Sequence, residues 1–235
     1  MRQEGRKVPR KKRPHFFEWL EVQFSSPNKR IDGLWIGIGG NSEGQDERLL
    51  ARVEEALFLI KRYDRLRYDR LSRNVRRVWV HTLFYGLGTY NDALAACELD
   101  ARFVLDETTS PELIAATIVH EATHLRLLRC GIGYEQAVRA RVEAVCFRRE
   151  LAFAAKLPNG EQVKQIAQRG LETAPGFWTD AEHNQRNADG QLGALRQLGA
   201  PDWFVRGLVA ARAVRLSIKK QLRRSSTRGR SGAVR

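Results

Sequence analysis

The sequence predicts an α+β fold in which a small mixed sheet is backed by several helices. Three observations predict it. Short β-branched and aromatic runs fall in the first half of the chain, at 31–38, 75–83 and 97–105. Longer segments with helical apolar spacing lie between and after them. The chain has 235 residues, 43% of them hydrophobic, which is enough to bury one sizeable core.

Ile31 to Ile38 (IDGLWIGI) reads as the first strand. Asp46 to about Ser72 reads as one long backing helix with Leu49, Leu50, Val53, Leu57, Ile60 and Leu66 turned inward. Val75 to Leu83 and Cys97 to Leu105 are the second and third strands. Ser110 then offers an N-cap, Pro111 suits a first helical position because it lacks an N–H, and Glu112 is favoured there by the helix dipole. Gly131 supplies the C-cap. With Leu113, Ile114, Ile118, Val119, Leu125, Leu127 and Leu128, this helix is apolar on nearly every face, so its polar side chains need a reason to be inside.

After Gly131-Ile132-Gly133, a second helix runs from about Tyr134 to about Leu157, ahead of Pro158-Asn159-Gly160. Ala137, Ala140, Ala144, Cys146, Phe147, Leu151 and Ala154 form its packing face. A short helix over about 161–172 is broken at Ala174-Pro175-Gly176. Pro201 and Asp202 open a last helix bearing Trp203, Phe204, Leu208, Val209, Val214 and Leu216, which reads as docked on the core. The organisation is a basic arm at 1–14, one domain at 15–222 with a core at about 31–157 and auxiliary helices at about 158–222, and a basic tail at 223–235.

Residues 120–124 read His120-Glu121-Ala122-Thr123-His124. On a helix, positions four apart are turned by about 400°, so both imidazoles leave one face roughly a turn apart, as a shared metal requires. Glu121 lies about 100° round from His120, beside such a metal rather than on it, where it can take a proton from a water the metal activates. A catalytic zinc needs a third protein ligand. Cys130 stands six residues after His124, but Leu127 occupies the place where a glycine would have to break the helix, so an unbroken helix carries Cys130 about 240° away. Glu143 is the better candidate: it falls on the packing face of the second helix between Ala140 and Phe147, where a carboxylate needs a partner.

On His120, Glu121, His124 and Glu143 the chain resembles the gluzincin (thermolysin-like) clan of zinc metallopeptidases, over roughly residues 75–157. The resemblance implies a zincin-like fold, Zn²⁺ held by His120, His124 and Glu143, Glu121 as general base and then proton shuttle, and a peptide or protein substrate. It implies that Tyr134, nine residues before Glu143, stabilises the tetrahedral oxyanion, with His183 as the other candidate for that role. It also implies that Arg102 to Leu105 form the sheet edge that pairs with substrate backbone. One position departs from the clan: its buttressing Asp, four residues after the glutamate ligand, is Phe147 here, so support for a zinc histidine has to come from another group.

Other signals are weaker. Gly37-Ile38-Gly39-Gly40 lacks the Gly-Lys-Ser/Thr of a phosphate loop and reads as a tight turn. His183 reads first as a solvent-facing helix residue, His81 as structural in its strand, and His15 carries no assignable chemistry. The odd set Cys97, Cys130 and Cys146 gives no disulfide framework, no apolar run approaches a membrane span, and no signal-peptide core follows the first residues; a cytoplasmic location is expected. Residues 1–13 carry seven Lys/Arg and one Glu, and residues 212–235 carry nine Lys/Arg and no acid, so the ends hold essentially all of the formal +14. Such termini can hold nucleic acid or an anionic surface, or simply solubilise. The alternative to a peptidase is therefore a non-catalytic zinc-site protein that binds nucleic acid through its basic ends. A third reading combines the two, as a peptidase acting on a DNA-bound regulator. The eight Lys/Arg and two Asp of Lys61 to Arg77 read as the solvated face of the backing helix and its exit.

Overall fold

The computed structural model of the chain describes residues 28–39, 44–197, 199–208 and 211. The basic arm, the tail, His15, Gly40, Val209, Val214 and Leu216 lie outside them. The fold is α+β: a five-stranded mixed sheet followed by several helices. Two compact units divide after Gln185, and the sheet lies in the first.

Strands β1 (Asn28–Ile31) and β2 (Leu34–Ile38) form an antiparallel hairpin, so the single strand expected over Ile31 to Ile38 is corrected. The reason is Asp32-Gly33, both with positive φ (50° and 82°), the pairing that a tight two-residue hairpin turn requires. The backing helix is likewise two helices, α1 (Asp46–Tyr63) and α2 (Arg65–Asn74). Asp64 breaks it at φ −142°, ψ 67° and caps α2 by accepting the Arg67 N–H. Leu49, Val53, Leu57 and Ile60 are buried as expected, but beyond the break Leu66 is 58% exposed.

Strand β3 is Arg77–His81, β4 is Gly88–Asn91 and β5 is Ala96–Asp100. The sheet order is β1-β2-β3-β5-β4, with β2, β3 and β5 parallel and β4 antiparallel to β5. The third strand therefore ends at Asp100, and Ala101–Leu105 is a short helix, α3, so Arg102 to Leu105 are not a sheet edge. Asp100 causes the switch: its carboxylate caps α3 through the Arg102 and Phe103 N–H groups and also accepts the Leu83 N–H at 3.0 Å. The edge at this end of the sheet is β4, four residues that sequence reasoning did not find.

One face of the sheet, with Ile36, Ile38, Val78, Val80, Cys97 and Leu99, shares a core with α1 and with α4 (Pro111–Arg129). Each such aliphatic side chain contributes roughly 1.5–3 kcal/mol on burial. The opposite face carries Trp35, Trp79 and Ala96 in a smaller cluster with Leu94. Helix α4 begins and ends as its sequence predicts: Ser110 accepts the Leu113 N–H, Pro111 is in the first turn, and Gly131 follows at φ 77°. Helix α5 (Gln136–Ala154) lies against α4, and α6 (Glu161–Glu172) lies against α5. A 3-10 turn (Pro175–Trp178) leads into α7 (Asp180–Gln197). Residues 202–208 are helical, and there Val205 is buried while Trp203 is 70% exposed. None of the described helices is long and apolar enough to cross a membrane.

Candidate metal centre

Helices α4 and α5 meet over a cleft of about 730 Å³ whose other wall is the edge strand β4. Gly88 lets that strand come close, since a Cβ there would lie 2.8 Å from Thr117 Cγ2 and 3.3 Å from Glu121 Cγ. His120, Glu121, His124, Tyr134, Glu143 and His183 all line the cleft. The helical spacing does what the sequence required: the His120 and His124 rings lie 4.9 Å apart on one face of α4.

His120, His124 and Cys146 form a group that can hold a metal ion, with one ligand atom of each within 4.8 Å of the others. Glu143, one turn before Cys146 on α5, also faces the imidazoles. Its Oε2 is 3.2 Å from His120 Nε2 and its Oε1 is 3.5 Å from His124 Nε2. The Tyr134 hydroxyl donates to the same Glu143 Oε1. On the far side of its ring, His120 Nδ1 contacts Glu150 Oε1. Tyr90 of β4 stacks on His124, with centroids 5.0 Å apart and planes 18° off parallel. Phe147, in the place of the clan's aspartate, packs its ring edge-on against His120 at 5.0 Å.

The electrostatics fit a cation. Glu121, Glu143 and Glu150 are each less than a tenth exposed, and no Lys or Arg lines the cleft among the described residues. Burial disfavours the His120 imidazolium, yet contact with the Glu143 and Glu150 carboxylates outweighs this and holds the group well above the ordinary histidine range. Burial, followed by the charge on His120, pushes His124 down to about 4. Burial raises Glu121 and His120 opposes it, and the neighbouring carboxylates Glu143, Glu150 and Glu98 carry the group up to about 7. Glu143 is held below the usual carboxylate range because His120, His124 and Tyr134 outweigh its burial. Burial and the carboxylates of Glu143, Glu121 and Glu150 keep the Cys146 thiol protonated. Three buried carboxylates against two imidazoles leave an excess of negative charge that a divalent ion would offset.

Comparison with protein-family models, with curated proteins and with solved structures gives no match. The reading of the site therefore rests on its own residues.

Several features escaped sequence reasoning. Glu150 contacts His120 where Phe147 offers no carboxylate, and the signal was there: seven residues after Glu143 is about 700°, nearly the same face of α5. Tyr90 carried no such signal, because β4 went unseen. Cys146 read as a packing residue and lies at the cluster. His183 is half-buried in the cleft rather than solvent-facing, its ring 6.0 Å from that of Tyr134. Arg139 organises this flank: it lies over the Tyr134 ring at 5.0 Å and donates to the Trp178 carbonyl and to Asp180. Away from the cleft floor, His81 stacks on Trp79 and stands 3.4 Å from Glu98, and Cys130 is exposed at the end of α4.

The Glu150 contact carries a prediction, because a carboxylate on the outer nitrogen of a ligating histidine fixes its tautomer and orientation. Glu150→Ala is expected to weaken metal binding about 10–100-fold, measured with a divalent ion by competition with a chromophoric chelator. Glu150→Gln, which keeps an acceptor without the charge, should fall between wild type and Ala. Unchanged affinity in both variants would show that Glu150 does not orient His120.

Proposed function

We propose that the protein is a zinc-dependent metallopeptidase in which His120, His124 and Glu143 hold the ion and Glu121 acts as general base. The observation that carries this reading is the Glu143 carboxylate spanning the two Nε2 atoms, with a buried, proton-accepting Glu121 next in sequence to His120. When bound, Zn²⁺ supplies Lewis acidity, polarising a scissile carbonyl and acidifying a water in the cleft. Glu121 takes a proton from that water. Its pKa, raised to about 7, suits both this step and return of the proton to the leaving amine near neutral pH. Tyr134, whose hydroxyl donates to Glu143 at the cleft and whose ring is backed by Arg139, would turn that hydroxyl to the developing oxyanion, with His183 beside it.

A peptide or protein substrate is supported by β4. An edge strand beside the cleft offers backbone groups to an extended chain, the role first expected of Arg102 to Leu105.

Cys146 supports a second reading. Were the thiol to join two histidines and Glu143 on the ion, all four places of a tetrahedral site would be filled, and the site would be structural. One experiment separates the two: elemental analysis of the purified chain, together with hydrolysis of a quenched-fluorescent peptide library before and after chelation. About one zinc per chain, with cleavage lost on chelation and restored by zinc, supports the peptidase. Zinc without any cleavage favours the closed site. A chain that takes up no zinc sinks both.

A further inference from the structure

A second concavity lies on the reverse of the active-site helix, walled by α2, α4 and α5, with a volume of about 310 Å³. Its floor is apolar and includes Val119, Ala122, Leu127, Ile132 and Val145. Among the described residues, its rim carries Arg67, Arg70, Arg126, Arg149 and Lys156 against one carboxylate, Asp64. Asp64 is 4% exposed and already occupied, pairing with Arg67 at 2.8 Å and Lys156 at 3.0 Å. Arg70, Arg126 and Arg149 pair with no carboxylate among the described residues, although they come from three different helices and converge on one hollow. The basic stretch expected to be a plain solvated face is thus partly the wall of a groove.

We infer that this groove docks an acidic segment of a protein partner, seating one apolar side chain on the Val119–Leu127–Val145 floor while flanking carboxylates meet Arg70, Arg126 and Arg149. Charge complementarity selects the sign of the occupant, and the floor selects its kind. A free inorganic anion would leave the apolar floor uncovered. Single-stranded nucleic acid binds by stacking bases on aromatic rings, and no aromatic residue lines the groove among the described residues. A duplex lays its phosphates along an extended surface, whereas about 310 Å³ admits only one or two side chains. The occupant would touch the face of α4 that alternates with His120 and His124, yet docking does not depend on the metal centre being catalytic.

The test is fluorescence anisotropy on the full chain at about 0.1 M salt. The probes are fluorescein-labelled peptides in which one Leu is flanked on each side by two Asp or Glu. Arg126→Glu and Arg149→Glu alter exposed side chains, so the fold is expected to survive, checked by circular dichroism. Arg62→Glu makes the same charge change outside the groove. Each groove variant should weaken binding at least about tenfold, because like charges are brought together. Arg62→Glu should leave binding unchanged, and replacing the peptide's Leu by Ser should weaken it. Absence of saturable binding, equal weakening by Arg62→Glu, or indifference to the Leu replacement would overturn the proposal. So would binding of a DNA duplex, rather than of the peptides, that is lost in Arg126→Glu and Arg149→Glu.

Discussion

Glu143→Ala is expected to lose stoichiometric zinc while keeping its helical content, with affinity falling by more than about a hundredfold, beyond the loss typical of an outer-shell partner. The reason is geometric. The Glu143 carboxylate is the group that faces both imidazoles, at 3.2 and 3.5 Å from their Nε2 atoms, and its ionised form is favoured by them. Removing it leaves two imidazoles and a thiol whose burial favours the protonated form. Cys146→Ser measured in parallel makes the result decisive, since zinc should then be retained near one per chain. Retention in Glu143→Ala with loss in Cys146→Ser would transfer the third ligand place from Glu143 to Cys146. Elemental analysis after dialysis, with circular dichroism as the control for folding, reads both variants.

Glu121→Gln should behave in the opposite way, binding zinc like the wild type while kcat for peptide hydrolysis falls by about 10²–10⁴-fold, the range typical of a lost general base. Gln keeps the size of the side chain but accepts no proton at working pH. KM should change little, because the lost interaction belongs to the transition state rather than to the bound substrate. Glu121 is 8% exposed, lines the cleft and packs under Gly88. Hydrolysis at the wild-type rate in this variant would remove Glu121 from the mechanism. Zinc loss equal to that in Glu143→Ala would make Glu121 a ligand instead.

The two variants also bear on what a residue's spacing can reveal. His120, Glu121 and His124 share one helix, so about 100° per residue fixes their relative directions wherever that helix is placed. Ser110, Pro111 and Gly131 mark the ends of the same helix by local backbone chemistry. The α+β class, the core face of α1 and the position of Glu143 on the packing face of α5 were legible for the same reason: each follows from periodicity within a dozen or so residues. Glu150 was legible too, two turns beyond Glu143 on nearly the same face.

What lay beyond the sequence depends on residues distant along the chain. Strand β4 has four residues, all half-buried, and is a strand because β5 pairs with it, so neither alternation nor length announced it. Asp64 splits the backing helix by capping α2 through the Arg67 N–H, its buried carboxylate held by Arg67 and Lys156. Asp100 ends β5 because capping α3 and holding the Leu83 N–H satisfy it better than another residue of strand. By itself the sequence determined which side chains share a helix face. Only the tertiary structure decided which faces meet, and hence that Tyr90 lies on His124, that Cys146 joins the cluster, that His183 turns into the cleft, and that three arginines with no carboxylate partner among the described residues ring a hollow behind it. Helical direction is a local geometric property, whereas these contacts arise from packing between elements that no spacing rule connects.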